Sequence, residues 1–152
     1  MSYTRRDLAI LIPALVKTTK AAQETKSSGK TDTAPSVMKA KTYPFDEMQV
    51  RTSSTGLKSR SVFNGVTTRG QRITLHISEL APGQRPHPPE RQPHEEVIIL
   101  REGTLEVTLN GEISMIGPGS VIFSSYNNLS GWKNVGTTTA QYYVLSLEEH
   151  SA

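Results

Sequence analysis

Six side chains that can ligate or move protons, His87, Glu90, Gln92, His94, Glu95 and Glu96, crowd into ten residues and lead into an apolar run at 97–100 that ends near Gly103. In an extended chain every second side chain projects to the same face, so Glu90, Gln92, His94 and Glu96 would share one. Carboxylates and imidazoles on a common face are what a divalent cation or a proton-transfer reaction requires. Pro86, Pro88, Pro89 and Pro93 work against that regularity, because a proline cannot donate to a ladder and is confined to edges and irregular chain. Face assignments from 86 to 93 are therefore insecure, and His87 is placed at a rim.

Two chemistries compete for these residues. His94 and Glu96, with His87 folded over, are the best available metal set, although the donors as a whole favour no cofactor. Glu90 and Glu96 could instead act as paired carboxylates, one with a raised pKa, in a metal-free isomerase or lyase. His76 alternates with Thr74 and Ser78 opposite Ile73, Leu75 and Ile77, which assigns it to the outer face of a half-buried strand. Trp132 stacks on a ligand or packs in the interior, with packing the commoner role. Tyr126, Asn127 and Asn128 form a loop that could contact a ligand or simply turn the chain.

The elements that must position these groups are strands. From Tyr43 onward, short alternating runs are punctuated by Pro82-Gly83, Glu102-Gly103, Asn110-Gly111, Gly117-Pro118-Gly119 and Asn134-Val135-Gly136. Regular turns with no amphipathic helical repeat indicate a β-sandwich or barrel. Leu105, Val107 and Leu109 alternate into Asn110-Gly111, the dipeptide of a type I′ hairpin, and Ile113 and Met115 continue the return strand.

Upstream, residues 1–22 carry four basic residues against one acidic, which accounts for the whole net charge of +3. The domain itself is neutral, and this argues against a nucleic-acid partner. Arg5-Arg6 precedes an uncharged run at 8–16, too short for the roughly 20 residues of a membrane-spanning helix. The pattern resembles a twin-arginine export signal and predicts removal of residues 1–22, a periplasmic or secreted bacterial location and no membrane anchor. Residues 23–41 read as a disordered polar linker and 42–152 as the folded domain. With no cysteine, disulfides and thiolate chemistry are excluded.

The segment from Pro82 to Glu112, followed by "GPGSVIFSSYNNLSGWKNVG", resembles the two motifs of the cupin superfamily, in its small single-domain form. Glu96 and Gly103 in Glu-x6-Gly spacing, the Asn-Gly hairpin and the Gly-Pro-Gly corner stand in family order. The resemblance implies an all-β fold, a double-stranded β-helix or jelly-roll barrel with a site in its mouth. It also implies metal-ligand positions at Glu90, Gln92, Glu96 and Ser130, where the family has three histidines and a glutamate. Only Glu96 matches. Such an oxygen-rich set suits a softer transition metal poorly, so the site is expected to be degenerate and a bound divalent metal is not favoured. The expected role is binding of a small polar metabolite or carbohydrate by Glu90, Gln92, Glu96, Tyr126, Ser130 and Trp132. The alternative is an enzyme, either a metal-dependent oxygenase or isomerase through His87, His94 and Glu96 or the metal-free carboxylate pair. A homodimer is implied as well.

Overall fold

The computed structural model describes residues 37–149. The leader, the export signal and most of the linker lie outside them. Ten strands follow in order: β1 (Val50–Thr52), β2 (Lys58–Val66), β3 (Arg72–Leu80), β4 (Glu90–Arg91), β5 (Glu95–Glu102), β6 (Leu105–Leu109), β7 (Glu112–Ile116), β8 (Val121–Ser124), β9 (Leu129–Asn134) and β10 (Ala140–Glu148). They form a six-stranded sheet, β1-β2-β3-β10-β5-β8, and a four-stranded sheet, β4-β9-β6-β7. A single 3-10 turn, Phe45–Glu47, precedes them. Among the described residues no helix is long and apolar enough to cross a membrane.

Turn chemistry accounts for the connections. Asn110 and Gly111 both take positive φ, 50° and 93°, as a type I′ hairpin demands, and Leu109 pairs with Glu112 across it. Gly103 has φ 91°, and a Cβ there would lie 2.6 Å from the Ala140 Cα. Only glycine fits, so the Glu-x6-Gly spacing is a steric requirement for bringing β5 and β6 past the start of β10. Proline chemistry shortens β4 to two residues, Glu90 and Arg91, paired with Ser130 and Leu129. The barrel also engages chain upstream of residue 42: Val37 bridges Val66, and the Met38 amide donates to the Val66 carbonyl.

Register arranges the interior in layers, because residues opposite one another on neighbouring strands project to the same side. Leu80 and Ala140 form one end, followed by Ser78, Tyr142 and Leu100, then by His76, Val144, Ile98 and Ile122, and last by Thr74, Ser146, Glu96 and Ser124. On the facing sheet Leu105 pairs with Asn134, Val107 with Trp132 and Leu109 with Ser130, with Asn134 at the Leu80 end and Ser130 at the other. Leu80, Ile98, Leu100, Leu105 and Val107 form the dry half of the core. Burial of each such side chain contributes roughly 1.5–3 kcal/mol. Asn134 locks that closed end, donating from Nδ2 to the Leu80 and Thr138 carbonyls and accepting the Gly136 amide at Oδ1.

The outer face of the larger sheet is apolar. Phe63, Leu75, Leu145, Val97 and Phe123 run across five strands in one row, and Ile77, Tyr143, Ile99 and Val121 lie in the next. Val121, Phe123 and Ile99 remain 61%, 54% and 44% exposed. This overturns the sequence-based orientation of β3. Its apolar residues Ile73, Leu75 and Ile77 face outward, and His76, placed outside by the alternation, points into the barrel. The return strand β7 is formed as expected, yet Ile113 and Met115 face solvent.

Candidate functional site

The open, polar end of the barrel holds a cavity of about 210 Å³ bordered by His76, Ser78, His87, Glu96, Trp132 and Tyr142, with Leu57, Pro86 and Val144 as its apolar wall. β3 supplies His76 and Ser78, β5 Glu96, β9 Trp132, and β10 Tyr142. Rigid strands thus fix the polar groups, and the proline-rich segment before β4 brings His87 over the rim.

Glu96 is buried, and its Oε1 lies 3.1 Å from Nε2 of His94. A carboxylate can only accept, so this contact assigns the hydrogen to Nε2 of His94. His76 is pushed below its ordinary pKa of 6.5 by burial, with the Glu96 charge partly opposing the shift. It is a neutral imidazole near neutral pH. Burial also raises the Tyr142 phenol, which the side chains of Trp132 and Ser78 partly counter. The phenol keeps its proton. Trp132 packs edge-on to both Tyr142 and His87, at 5.7 and 5.9 Å between ring centroids.

Three interior polar atoms have no hydrogen-bond partner: Ser124 Oγ, Ser130 Oγ and Trp132 Nε1. The indole N–H is near enough to the Tyr142 hydroxyl to lower its pKa, but no acceptor lies in hydrogen-bonding alignment with it. Ser124 and Ser130 belong to the same polar end as Glu96, opposite Glu96 on β8 and opposite Leu109 on β9.

Of the six residues expected to bind ligand, Glu96 and Trp132 border the mouth and Ser130 lies inside the barrel. Glu90 has turned outward, its side chain 51% exposed, and its Oε1 accepts from Gln92 Nε2 at 2.7 Å and sits 3.2 Å from His87 Nδ1. Tyr126 is 64% exposed and borders a different depression, with Gln71, Pro93, His94 and Glu95. The positive φ of Asn127, whose amide donates to the Gln92 carbonyl, holds that loop against the proline segment instead of over the mouth. Sequence reasoning missed His76, Ser78 and Tyr142. Leu80, a fully buried residue of the same parity as His76 and Ser78, is the signal that could have set the face of β3.

The metal sets do not assemble. His94 meets Glu96, but His87 is drawn to Glu90 and to the Pro88 carbonyl, 2.8 Å from its Nδ1. Among the described residues no three His, Asp or Glu side chains converge on one point. The four family positions fare no better, because Glu90 and Gln92 satisfy each other and Ser130 offers a hydroxyl, a poor donor for the ions that imidazole sets hold. The proposed pair of Glu90 and Glu96 is likewise not formed at the mouth, since Glu90 does not border it.

Residues 76–146 match the family model described as a cupin domain. The described residues have the small single-domain cupin fold. Solved structures agree: KdgF from Halomonas sp. superposes with a TM-score of 0.61 at 15% identity, covering 71% of this chain and 94% of that one. A polyketide cyclase, RemF from Streptomyces resistomycificus, gives 0.57 at 20% identity over 76% and 83% of the two chains. A sugar phosphate isomerase of the cupin superfamily from Silicibacter pomeroyi gives 0.60 at 14%, covering 72% and 76%. At these identities the likeness establishes the cupin fold, not the activity. No curated protein matches the chain.

Proposed function

We propose that this cupin binds a small polar molecule in the barrel mouth and does so with its own side chains, the family's metal site having degenerated. The observation that supports this most directly is the polarity of the open end. Trp132 Nε1 is buried without a partner on a cavity that also presents His76, Glu96 and Tyr142, and Ser124 Oγ and Ser130 Oγ, likewise unpartnered, lie in the same end of the barrel outside the cavity lining. Each unsatisfied buried group costs about 1–3 kcal/mol. An apolar filling would be more stable, and a ligand offering both donors and acceptors offsets the cost. Two cupins of similar fold, the cyclase and the isomerase, are named for reactions of small molecules, in keeping with this reading.

The chain contains one tryptophan, and Trp132 borders the cavity. Its fluorescence therefore reports occupancy. Titration with a collection of small polar metabolites should give a saturable change for at least one compound, weakened at least tenfold in His76→Ala. If every compound leaves Trp132 unmoved, the mouth is not a binding site.

One observation favours a second reading, an acid–base enzyme. His76, kept neutral by burial, can accept a proton, and Glu96, held by His94, borders the same cavity. This pair replaces the two glutamates as the candidate for metal-free proton transfer. Turnover of a compound that binds separates enzyme from binding protein.

Two further parts of the reading concern assembly and address. The apolar outer face of the six-stranded sheet is the surface through which we place a homodimer, since so broad an array of Val121, Phe123, Ile99 and their neighbours is costly to leave in water. Export through the Arg5-Arg6 leader is the proposed route to the periplasm or beyond.

A further inference from the structure

The charge around the mouth limits what can enter it. We propose that the site selects an uncharged, hydroxyl-bearing molecule the size of a single sugar ring and turns anions away, an inference that rests on the mouth being a binding site. Glu96 is the one formally charged side chain on the cavity wall, and neither lysine nor arginine borders it. His76 is neutral. Two other imidazoles lie close by, and each is matched by a carboxylate: His87 by Glu90 at 3.2 Å, His94 by Glu96 at 3.1 Å. Each imidazole thus stands against a carboxylate, and no unmatched cationic side chain faces the mouth. A barrel with three neutral imidazoles, one carboxylate and a divalent ion would carry a net +1 at this place. Here the balance is negative or zero, so the electrostatic preference is reversed. A carboxylate or phosphate entering beside Glu96 meets like charge in a partly desolvated space, where such repulsion is far stronger than in water.

Hydrogen-bonding capacity narrows the class further. Glu96 only accepts, so the ligand must donate to it; the Trp132 indole only donates, so the ligand must also accept. The Tyr142 and Ser78 hydroxyls serve in either sense. An ammonium group satisfies Glu96 and leaves the indole N–H orphaned, and a hydrocarbon satisfies neither. Hydroxyl groups answer both. Trp132 and Tyr142 add apolar surface of the kind that packs against a ring. The cavity, about 210 Å³ and open on one side, is on the scale of a single sugar ring.

The test compares neutral sugars with their own acids. The full chain, purified without a histidine tag, is titrated at low salt with glucose, galactose and mannose and with the corresponding uronic acids, using Trp132 fluorescence. The expected result is saturable binding of at least one neutral sugar and at least tenfold weaker binding of its uronate. In Glu96→Gln that ratio should narrow to under threefold as the repulsion is removed; the wild-type ratio decides by itself should this variant fail to fold. A uronate that binds as tightly as its neutral parent overturns the charge inference and leaves the mouth standing as a binding site. If both series leave Trp132 unmoved while other polar metabolites shift it, the sugar-sized class is wrong. Silence toward all compounds removes the binding reading with it.

Discussion

His94 Nε2 and Glu96 Oε1 stand 3.1 Å apart, two residues apart in sequence, with side chains only 18% and 10% exposed. The contact joins two depressions of the surface, since His94 borders the one beside Tyr126 and Glu96 borders the mouth. His94 is thus a positioning residue, orienting the one carboxylate inside the barrel from behind. Removing it in His94→Ala leaves a buried carboxylate short of a donor, a change that typically costs about 1–3 kcal/mol. Chemical denaturation should show that loss, with His94→Gln recovering part of it through its amide donor. Equal stability of wild type and His94→Ala would mean that Glu96 is satisfied by other groups.

His76 predicts a pH dependence of known sign. Its folded-state pKa lies below the unfolded value of about 6.5 because burial penalises the imidazolium. Its contribution to stability is complete above the unfolded pKa and is lost as pH falls toward the folded one, where the unfolded chain binds the additional proton. Urea melts at about pH 7.5 and about pH 5 should show a smaller pH-dependent loss in His76→Gln than in the wild type. An identical slope in both proteins would show that His76 does not sit neutral in the barrel.

Much of the frame was legible in the sequence, and particular residues show why the remainder was not. The Asn110-Gly111 hairpin and the glycine at 103 are local requirements: positive φ and the absence of a Cβ are properties of single residues. Alternation is different. It reports that His76 and Ser78 share a face and that Ile73, Leu75 and Ile77 share the other, but which face is inside depends on strands distant in sequence. Apolar residues were assigned inward, whereas the six-stranded sheet keeps an apolar outer face and a polar mouth. Pairing of His76 with Val144 and of Ser78 with Tyr142 settles the matter, and within β3 only the apolar Leu80, at the same parity, points the same way. In the proline segment the obstacle was conformational: with two residues of regular strand at β4, even spacing from Glu90 to Glu96 did not translate into a common face.

The outer sheet face gives a prediction about assembly. Phe123 on the edge strand β8, 54% exposed and paired with Val97, lies at the end of the five-residue apolar row. Light scattering at micromolar concentration should report a dimer for the wild type and a monomer for Phe123→Glu, because a buried unpaired carboxylate at such a face is strongly unfavourable. A monomeric wild type would refute the dimer, and an unaffected dimer in the variant would place its interface elsewhere.

The leader predicts a transport phenotype. Replacing Arg5 and Arg6 together by lysine keeps the charge and removes the twin-arginine pair, so uncleaved precursor should accumulate in the cytoplasm. Export and trimming unchanged from the wild type would rule out the twin-arginine route.

The claim on which the account turns is that the mouth works with Glu96 and its neighbours and without a resident ion. Elemental analysis of protein purified without a histidine tag measures this directly, by the number of transition-metal ions per chain. Far less than one is expected, with no gain in melting temperature on adding Zn²⁺ or Mn²⁺, whereas an ion bound to the folded state alone at 100 times its Kd would contribute about 2.7 kcal/mol. One ion per chain, lost in His94→Ala, would contradict it and return the site to a metal-dependent cupin chemistry.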